Sequence, residues 1–330
     1  MSENITKYWC SMSKYVFGPV PSRRFGRSLG INNIPPKHCS YSCVYCQVGR
    51  TIYFEYMRKK YYDPEMLINE AIQVINKNID KIDYVTFVPD GEPTLDINLG
   101  YEAESIKKAT GAKLAIITNS SLIYDESVRC DLMLFDAVSL KVDTTNHDTW
   151  VRINRPHRRI LFDKVLEGIV TFSKEYNGLL LTETMLVKGL NDKGDEIEAI
   201  ATYLKDVNLG KAYLSIPIRP PTEPWVSPPD EEKITEAYNI FVEKLGQEHV
   251  ELLITYEQGD FNLVGSPIES LLSTVSVHPM RIDYVMDFLK RNNIGPDVLD
   301  DLIKKGLLLK VKYKDYSFIV RRLPTRVGKG

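Results

Sequence analysis

Short apolar runs alternate with longer amphipathic stretches along most of the chain. In residues 64–79 the side chains of Leu67, Ala71 and Ile75 recur at helical spacing, which predicts a helix with one buried face. Residues 84–88 are mostly β-branched and aromatic and too few for a stable helix, so they predict a strand. Strands that alternate with helices indicate right-handed βαβ units and a parallel sheet.

The same reasoning assigns the first 254 residues to alternating strands and helices. The predicted strands are residues 28–32, 84–88, 114–118, 134–142, 179–186, 212–218 and 250–254. The predicted helices are residues 64–79, 97–110, 124–130, 161–176, 195–207 and 230–245. About six βα units fit before residue 230, which favours an α/β fold with a partial (β/α)6 barrel and chemistry at the carboxyl ends of its strands.

The pattern changes after residue 265. Helices are predicted at residues 268–274, 280–291 and 296–305, and strands at residues 308–311 and 317–321. Helices followed by a hairpin in so short a segment suggest a winged helix-turn-helix. We therefore expect two domains, an α/β core with an N-terminal extension over residues 1–265 and a winged-helix-like domain over residues 266–330.

The composition of the 330 residues is that of an ordinary globular protein, with 43% hydrophobic and 26% charged residues. This excludes a disordered, collagen-like or coiled-coil protein. No apolar run reaches the roughly 18 to 20 residues that a membrane span needs. Residues 1–14 lack the apolar stretch of a signal peptide. We therefore expect a cytoplasmic protein that does not act in a membrane.

Three of the five cysteines lie close together, at Cys39, Cys43 and Cys46, with the spacing C-x3-C-x2-C. In a reducing cytosol such a group is more typical of metal ligands than of disulfides. Zinc would need a fourth protein ligand for a closed site. A four-iron cluster held by three cysteines would instead leave one iron free for a small molecule. A structural zinc loop and reduced core cysteines remain the alternatives.

The segment from Cys39 to Cys46, with Tyr45 just before the third cysteine, resembles the signature of the radical S-adenosylmethionine (SAM) superfamily. The resemblance implies that Cys39, Cys43 and Cys46 are catalytic and hold a 4Fe-4S cluster whose fourth iron is chelated by SAM. It implies that one electron from the cluster cleaves SAM to methionine and a 5′-deoxyadenosyl radical, which then abstracts a hydrogen atom from the substrate. An external one-electron donor of the flavodoxin or ferredoxin type is then required.

Polar residues at or just after the predicted strands are candidates for the SAM site. Residues 89–94 resemble the glycine-glutamate element of the superfamily, although Asp90 stands where a second glycine is frequent. The resemblance implies that the backbone near Gly91 and the carboxylate of Glu92 accept hydrogen bonds from the ammonium of SAM. A simple strand-to-helix turn is the alternative for residues 89–94. For Thr118 and Asn119 the alternative is turn formation or helix capping. The other candidate SAM-binding residues are Thr118, Asn119, Ser139, Lys141, Arg155 and Tyr45.

The resemblance covers most of residues 15–325, including residues 17–24 and 155–157. The chain is similar to a group of microbial proteins that are linked to wyosine-type tRNA modification enzymes and to molybdenum-cofactor radical enzymes. Both kinds of enzyme imply a second cluster with its own cysteines, whereas only Cys10 and Cys130 are left in this chain. We therefore predict a single cluster and no pyruvate condensation of the wyosine-forming type.

The net charge of −2, from 42 basic and 44 acidic residues, conceals strongly basic segments. Between Lys14 and Lys60, and again between Lys304 and Gly330, the chain has nine Lys or Arg and one acid. Basic segments with interleaved aromatic residues, as on the predicted wing, favour phosphate binding. A solvated hairpin or a protein-docking module is the alternative. A further basic cluster consists of Arg152, Arg155, Arg158 and Arg159.

These features together predict a single-cluster radical SAM enzyme that modifies a nucleic acid, most simply tRNA. One alternative is a protein-modifying radical enzyme, such as a glycyl-radical activase or a peptide modifier. Another is an iron-sulfur redox sensor with a DNA-binding winged helix. A sensor needs no SAM site, so the elements around Gly91 and Lys141 count against it.

Overall fold

The computed structural model describes residues 15–254 and 266–322. The strands are β1 (Val16–Ser22), β2 (Gly26–Ile31), β3 (His38–Cys39), β4 (Tyr53–Phe54), β5 (Tyr84–Phe87), β6 (Leu114–Thr118), β7 (Ala137–Lys141), β8 (Leu179–Met185), β9 (Lys211–Ser215), β10 (Val250–Leu253), β11 (Met280–Arg281), β12 (Leu308–Tyr313) and β13 (Tyr316–Arg321). The helices are α1 (Pro64–Asn78), α2 (Leu99–Thr110), α3 (Glu126–Leu132), α4 (His147–Ile153), α5 (Phe162–Glu175), α6 (Gly194–Leu204), α7 (Glu231–Leu245), α8 (Pro267–Val277), α9 (Ile282–Arg291) and α10 (Asp297–Lys304). Short 3-10 helices lie at Ile79–Lys81, Pro93–Leu95 and Gln247–His249.

Eight strands form one sheet in the order β1-β2-β5-β6-β7-β8-β9-β10. The β1 strand is antiparallel to β2, and every further pairing from β2 to β10 is parallel. The sheet curls into a half-barrel, which confirms the predicted partial barrel. Because all the parallel strands point the same way, their carboxyl ends and the loops that follow them meet at one rim.

The helices bury their apolar faces against this sheet. Leu67, Ala71 and Ile75 of α1 are fully buried in the same hydrophobic cluster as Val85 and Phe87 of β5. The helical spacing seen in the sequence is therefore the packing face of α1. Among the described residues, no helix combines the length and the apolar character that crossing a membrane requires.

Several short elements differ from the sequence predictions. The β1 strand contains Pro19 and Pro21, which argue against a strand, but it lies at the edge of the sheet, where residues without an N–H are tolerated. The strands β3 and β4 have two residues each and lie in a segment that reads as turns. Met280 pairs with Ile319 in β11, so α9 begins at Ile282 and not at residue 280.

Residues 266–322 contain a small unit with its own hydrophobic cluster, which includes Leu271, Val285, Leu302 and Ile319. Its elements follow the order helix, strand, two helices, two strands, and its sheet has the order β11-β13-β12. This is the arrangement of a winged helix, as predicted. The expected domain boundary lies beside residues 255–265, outside the described residues, so the division into two domains stays a prediction.

The C-terminal unit packs against the half-barrel near the cysteines. The α8 helix contacts β1, and the hydroxyl of Tyr313 donates a hydrogen bond to the carbonyl of Pro217 at 2.9 Å. The side-chain amide of Gln47 donates to the carbonyl of Val277 at the end of α8, at 3.4 Å. Since Gln47 directly follows Cys46 in the sequence, the unit touches the loop that carries the cysteines.

Candidate active site

The three cysteines lie on the long connection between β2 and α1, at the carboxyl end of β2. The backbone of this loop is held by the end of α4, because the N–H of Ser42 donates to the carbonyl of Asn154 at 3.0 Å and the N–H of Val44 to that of Ile153 at 2.9 Å. Within the loop the N–H of Cys46 donates to the carbonyl of Cys43 at 3.1 Å. The loop is therefore fixed to the rim of the half-barrel by main-chain hydrogen bonds.

Two asparagine amides donate to the cysteine sulfurs. Asn119 Nδ2 lies 3.5 Å from Cys39 Sγ, and Asn154 Nδ2 lies 3.5 Å from Cys43 Sγ. Burial raises the pKa of the Cys43 thiol to about 12, and it also raises the pKa of Cys39 and of Cys46. A bound metal supplies the positive charge that offsets this cost, because it coordinates the thiolate form.

The donor set fits an iron-sulfur cluster better than a single metal ion. In the part of the chain that the structure describes, no three His, Cys, Asp or Glu side chains form a group that would hold one ion. The sulfurs that hold a 4Fe-4S cluster lie farther apart than the ligands of one ion, because each cysteine ligates a different iron. The neighbouring donors to sulfur are neutral amides of the kind that tune such clusters.

A buried ion pair joins the start of the cysteine loop to the residues after β5. Lys37 Nζ lies 2.8 Å from Asp90 Oδ1, and both side chains are only 3% exposed. The N–H of Lys37 also donates to the carbonyl of Asp90 at 2.7 Å. Burial raises the pKa of Asp90, although the charge of Lys37 opposes this shift. Asp90 stands where glycine is frequent in the superfamily. Its carboxylate neutralises the buried Lys37, which explains the acidic residue at this position.

Gly91 allows the cysteine loop to approach the residues after β5. His38 and Gly91 form a parallel β-bridge, and the N–H of Glu92 donates to the carbonyl of His38 at 3.0 Å. A Cβ atom at position 91 would lie 2.1 Å from the His38 carbonyl oxygen. Only glycine permits so close an approach of two backbones.

Glu92 is buried and fixed by hydrogen bonds within the chain. Its carboxylate accepts from the hydroxyls of Thr94 and Thr118 at 2.6 Å each, and from the N–H of Asn119 at 2.7 Å. Burial raises the pKa of Glu92, and these hydrogen bonds oppose the shift. Glu92 therefore orients Thr118 and Asn119 at the end of β6, and Asn119 in turn reaches Cys39. Its direct contact with SAM stays a prediction.

Lys141, at the end of β7, belongs to a charged cluster inside the half-barrel. Lys141 Nζ lies 2.9 Å from Glu183 Oε1, and Arg24 forms an ion pair with the other oxygen of Glu183. Although burial raises the pKa of Glu183, the charges of Lys141 and Arg24 hold it well below its usual range. Ser139 accepts a hydrogen bond from Arg24 at 3.4 Å. Arg24 and Lys141 thus share one carboxylate on β8, and Ser139 joins the cluster through Arg24.

Tyr45 connects this cluster to the cysteine loop. Its ring centroid lies 5.0 Å from Lys141 Nζ, and its hydroxyl donates to Asp143. Asn154 Nδ2 donates to the same carboxylate at 2.6 Å. Burial, followed by the charge of Asp143, raises the pKa of Tyr45, so the hydroxyl stays protonated and acts as a donor.

Arg155 lies against the cysteine loop, since its carbonyl accepts from the N–H of Ser42 at 3.1 Å, but its side chain pairs with another loop. Arg155 Nη1 donates to Glu223 Oε1 at 2.6 Å, and Arg50 pairs with the same carboxylate. The side chain of Arg155 is 40% exposed, and its contact is with the loop that follows β9. The predicted role of Arg155 in holding SAM stays a prediction.

Sequence reasoning overlooked three side chains of the site: Arg24, Asn154 and Glu183. Glu183 had a detectable signal, since it is an acid in the middle of an apolar strand. Asn154 is a neighbour of the predicted Arg155, but nothing in the sequence links its amide to Cys43. Arg24 lies 159 residues from Glu183 in the chain, and only the curvature of the half-barrel brings the two side chains together.

Comparisons with known proteins lead to the same superfamily as the cysteine loop. A profile described as the radical SAM superfamily matches residues 33–204. A UPF0026 protein of Methanocaldococcus jannaschii is 45% identical over 311 residues, which are 94% of this chain and 97% of that protein.

Two solved structures show that the fold is shared at low sequence identity. A radical SAM methyltransferase from Sphaerobacter thermophilus matches with a TM-score of 0.54 at 14% identity, over 70% of this chain and 67% of that chain. Streptococcus suis SuiB bound to S-adenosylmethionine matches with a TM-score of 0.50 at 12% identity, over 68% and 49% of the two chains. With the matched profile and the cysteine loop at the barrel rim, the chain belongs to the radical SAM superfamily, whose members use a 4Fe-4S cluster and SAM.

Proposed function

We propose that this protein is a single-cluster radical SAM enzyme that modifies a nucleic acid, with tRNA as the simplest candidate. The observation that carries the proposal is an exposed basic wing on a unit that packs beside the cysteine loop. Lys310 and Lys312 of β12 are exposed and form no ion pair with a described residue. Tyr313, at the end of the same strand, is bonded to the loop after β9.

Cys39, Cys43 and Cys46 would hold the 4Fe-4S cluster, which when bound supplies the electron that cleaves SAM to methionine and a 5′-deoxyadenosyl radical. The amides of Asn119 and Asn154 hydrogen-bond the sulfurs of Cys39 and Cys43 and orient them. The three cysteines are half-buried, so the cluster would lie within reach of SAM at the rim of the half-barrel.

We infer that SAM lies across the ends of β5, β6 and β7, against Gly91, Thr118, Asn119, Ser139 and Lys141. These residues follow three neighbouring parallel strands, the usual position of a ligand in such sheets. Lys141 supplies the cationic group that a carboxylate of SAM requires. Its ion pair with Glu183 holds Lys141 Nζ in place, while Arg24 shares the charge of Glu183 and Asp143 lies 3.8 Å from Lys141.

A single cluster follows from the positions of the remaining cysteines. Cys130 is exposed on α3, in a different part of the fold from the cysteine loop. Cys10 lies outside the described residues. Two cysteines cannot supply the three ligands of a second cluster, so the proposal does not include the pyruvate condensation of wyosine formation.

The proposal is tested with the anaerobically reconstituted protein, reduced with dithionite and supplied with SAM and bulk tRNA. We expect 5′-deoxyadenosine from the wild type, and none after Cys43→Ala. Reversing two wing charges, Lys310→Glu with Lys312→Glu, should weaken tRNA binding and lower its dependence on salt, because two phosphate contacts are lost. The matched control is Lys174→Glu with Lys205→Glu, at the C-terminal ends of α5 and α6 on the opposite side of the barrel.

Tight binding of tRNA that does not respond to salt or to the wing substitutions would contradict a nucleic-acid substrate and favour a protein substrate. Mass spectrometry of tRNA from cells that lack the protein identifies the product, since the missing nucleoside names the modification. An unchanged set of nucleosides in all tRNA would argue against tRNA as the substrate.

A further inference from the structure

A groove of about 680 Å³ lies beside the cysteine loop. One wall is the cysteine loop and β4, and the other is α4 and the segment that follows it. Residues that line the groove include Ser42, Thr51, Phe54, Trp150, His157 and Arg158. The volume is in the range of sites that enclose a ligand of moderate size.

Aromatic rings form part of this groove. Phe54 is 44% exposed, and its ring centroid lies 5.2 Å from that of His157. His157 stacks on Tyr56, with centroids 4.6 Å apart and ring planes at 18°. This stack holds the rings in position, so the exposed face of Phe54 is a preformed surface for a planar group.

The edge of the groove is positively charged. Arg158 lines the groove and Arg159 follows it in the chain, and both are exposed and form no ion pair with any residue that the structure describes. Their charges act on His157, whose pKa is lowered first by burial and then by Arg158 and Arg159. Two unpaired guanidinium groups in a chain with a net charge of −2 mark a site for anions, and their planar shape matches phosphate oxygens.

We propose that this groove binds a single-stranded segment of nucleic acid, with phosphates at Arg158 and Arg159 and a base stacked on Phe54. The proposal rests on the proposed function, since it takes the nucleic acid to be the substrate. Exposed rings together with unpaired arginines are the combination that single strands use, whereas duplexes offer no free base faces. Ser42 lines the groove and Gln47 touches the winged unit, so both surfaces adjoin the cysteine loop.

The alternative occupant of the groove is an acidic electron-transfer protein. Such a partner would pair with the arginines at the edge, whereas the exposed ring face inside the groove is of the kind on which a nucleobase stacks. The rings therefore favour the single strand, and the redox partner becomes an outcome of the test.

The test uses the reconstituted full chain with two probes, bulk tRNA and a fluorescent single-stranded RNA oligonucleotide of mixed sequence. Arg158→Glu with Arg159→Glu should weaken binding of both probes by tenfold or more and lower the slope of log K against log salt by about two. Phe54→Ala should weaken oligonucleotide binding by about tenfold, and Phe54→Tyr should restore it, because the stacking face returns. Lys174→Glu with Lys205→Glu controls for the change in net charge.

SAM cleavage without substrate should be unchanged in the arginine variant, which shows that it is folded and loaded. If the groove variants bind both probes normally while the wing variant loses tRNA, the groove proposal is overturned and the proposed function stands. If the wild type binds neither probe, both fail. If the arginine variant binds RNA normally but is no longer reduced by flavodoxin, the groove is the docking surface for the electron donor and the proposal is also overturned.

Discussion

At the scale of single residues, Glu183 organises the interior of the half-barrel. Its carboxylate contacts Lys141, Arg24 and the hydroxyl of Ser215, the last at 2.8 Å. The side chain is only 12% exposed, so the two cations depend on it for their charge balance. Lys141 can be predicted from its place after an apolar strand, but its partner cannot, because strand pairing between β7 and β8 decides which residues face each other.

Replacing Glu183 by Gln should destabilise the protein by about 3 kcal/mol, because Arg24 loses its buried counter-charge and Lys141 keeps only Asp143, at 3.8 Å. The measurement is urea-induced unfolding at pH 7. The matched control is Glu167→Gln, which breaks the exposed pair with Lys164 and should cost about 0.5 kcal/mol or less. An equal effect of the two substitutions would mean that the interior cluster is not sensitive to its charge balance.

The effect of Glu183→Gln should also depend on pH. The pKa of Glu183 is lower in the folded protein than the value of about 4.3 in an unfolded chain. Its stabilising contribution is therefore complete above that value and is lost as the pH falls below it. The difference in unfolding free energy between wild type and variant should narrow in acid, and a difference that is constant from pH 7 to pH 3 would refute this.

At the scale of elements, the two-residue strand β3 positions one of the three cysteines. The two residues of β3 include Cys39, and β3 lies against Gly91 with no room for a side chain. The major strands and helices follow from hydrophobic periodicity, because each has enough residues to show a repeat. The β3 and β4 strands have two residues each, which is too few to show a hydrophobic period. They form because the cysteine loop folds back on the residues that follow β5.

Gly91→Ala should displace the cysteine loop. The added Cβ would meet the His38 carbonyl at 2.1 Å, and overpacking of this kind costs about 2 kcal/mol. We expect a lower melting temperature and a reduced iron content after reconstitution.

Gly111→Ala is the control for this substitution, because its Cβ would have no neighbour within 4 Å and it suffers only from its left-handed backbone, with φ of 66°. That strain costs about 1 kcal/mol and should leave the iron content unchanged. Full iron content in the Gly91 variant would show that the loop adapts to the extra methyl group.

At the scale of the whole molecule, two structural units meet at the cysteine loop. The half-barrel supplies the strand ends, and the winged unit reaches the loop through Gln47 and the rim through Tyr313. The order of elements in both units can be read from the sequence, but the docking of one on the other cannot. It depends on contacts between residues far apart in the chain, such as Gln47 and Val277.

The whole protein should contain one cluster. After anaerobic reconstitution we expect about four irons and four sulfides per chain, the content of a single 4Fe-4S cluster. Cys39→Ala should lose most of this iron, whereas Cys130→Ala should retain it, because Cys130 is exposed on α3. About eight irons per chain, or loss of iron in the Cys130 variant, would contradict a single cluster.

The sequence by itself determined the cysteine spacing, the alternation of strands and helices and the location of the basic segments, because each is a local property of neighbouring residues. Only the tertiary structure decided which side chains share the site. Glu92 faces Thr118, Asn154 faces Cys43, Glu183 faces Arg24 and Arg155 pairs with Glu223. These contacts arise from strand register and loop packing, which depend on the whole chain and not on any short segment of it.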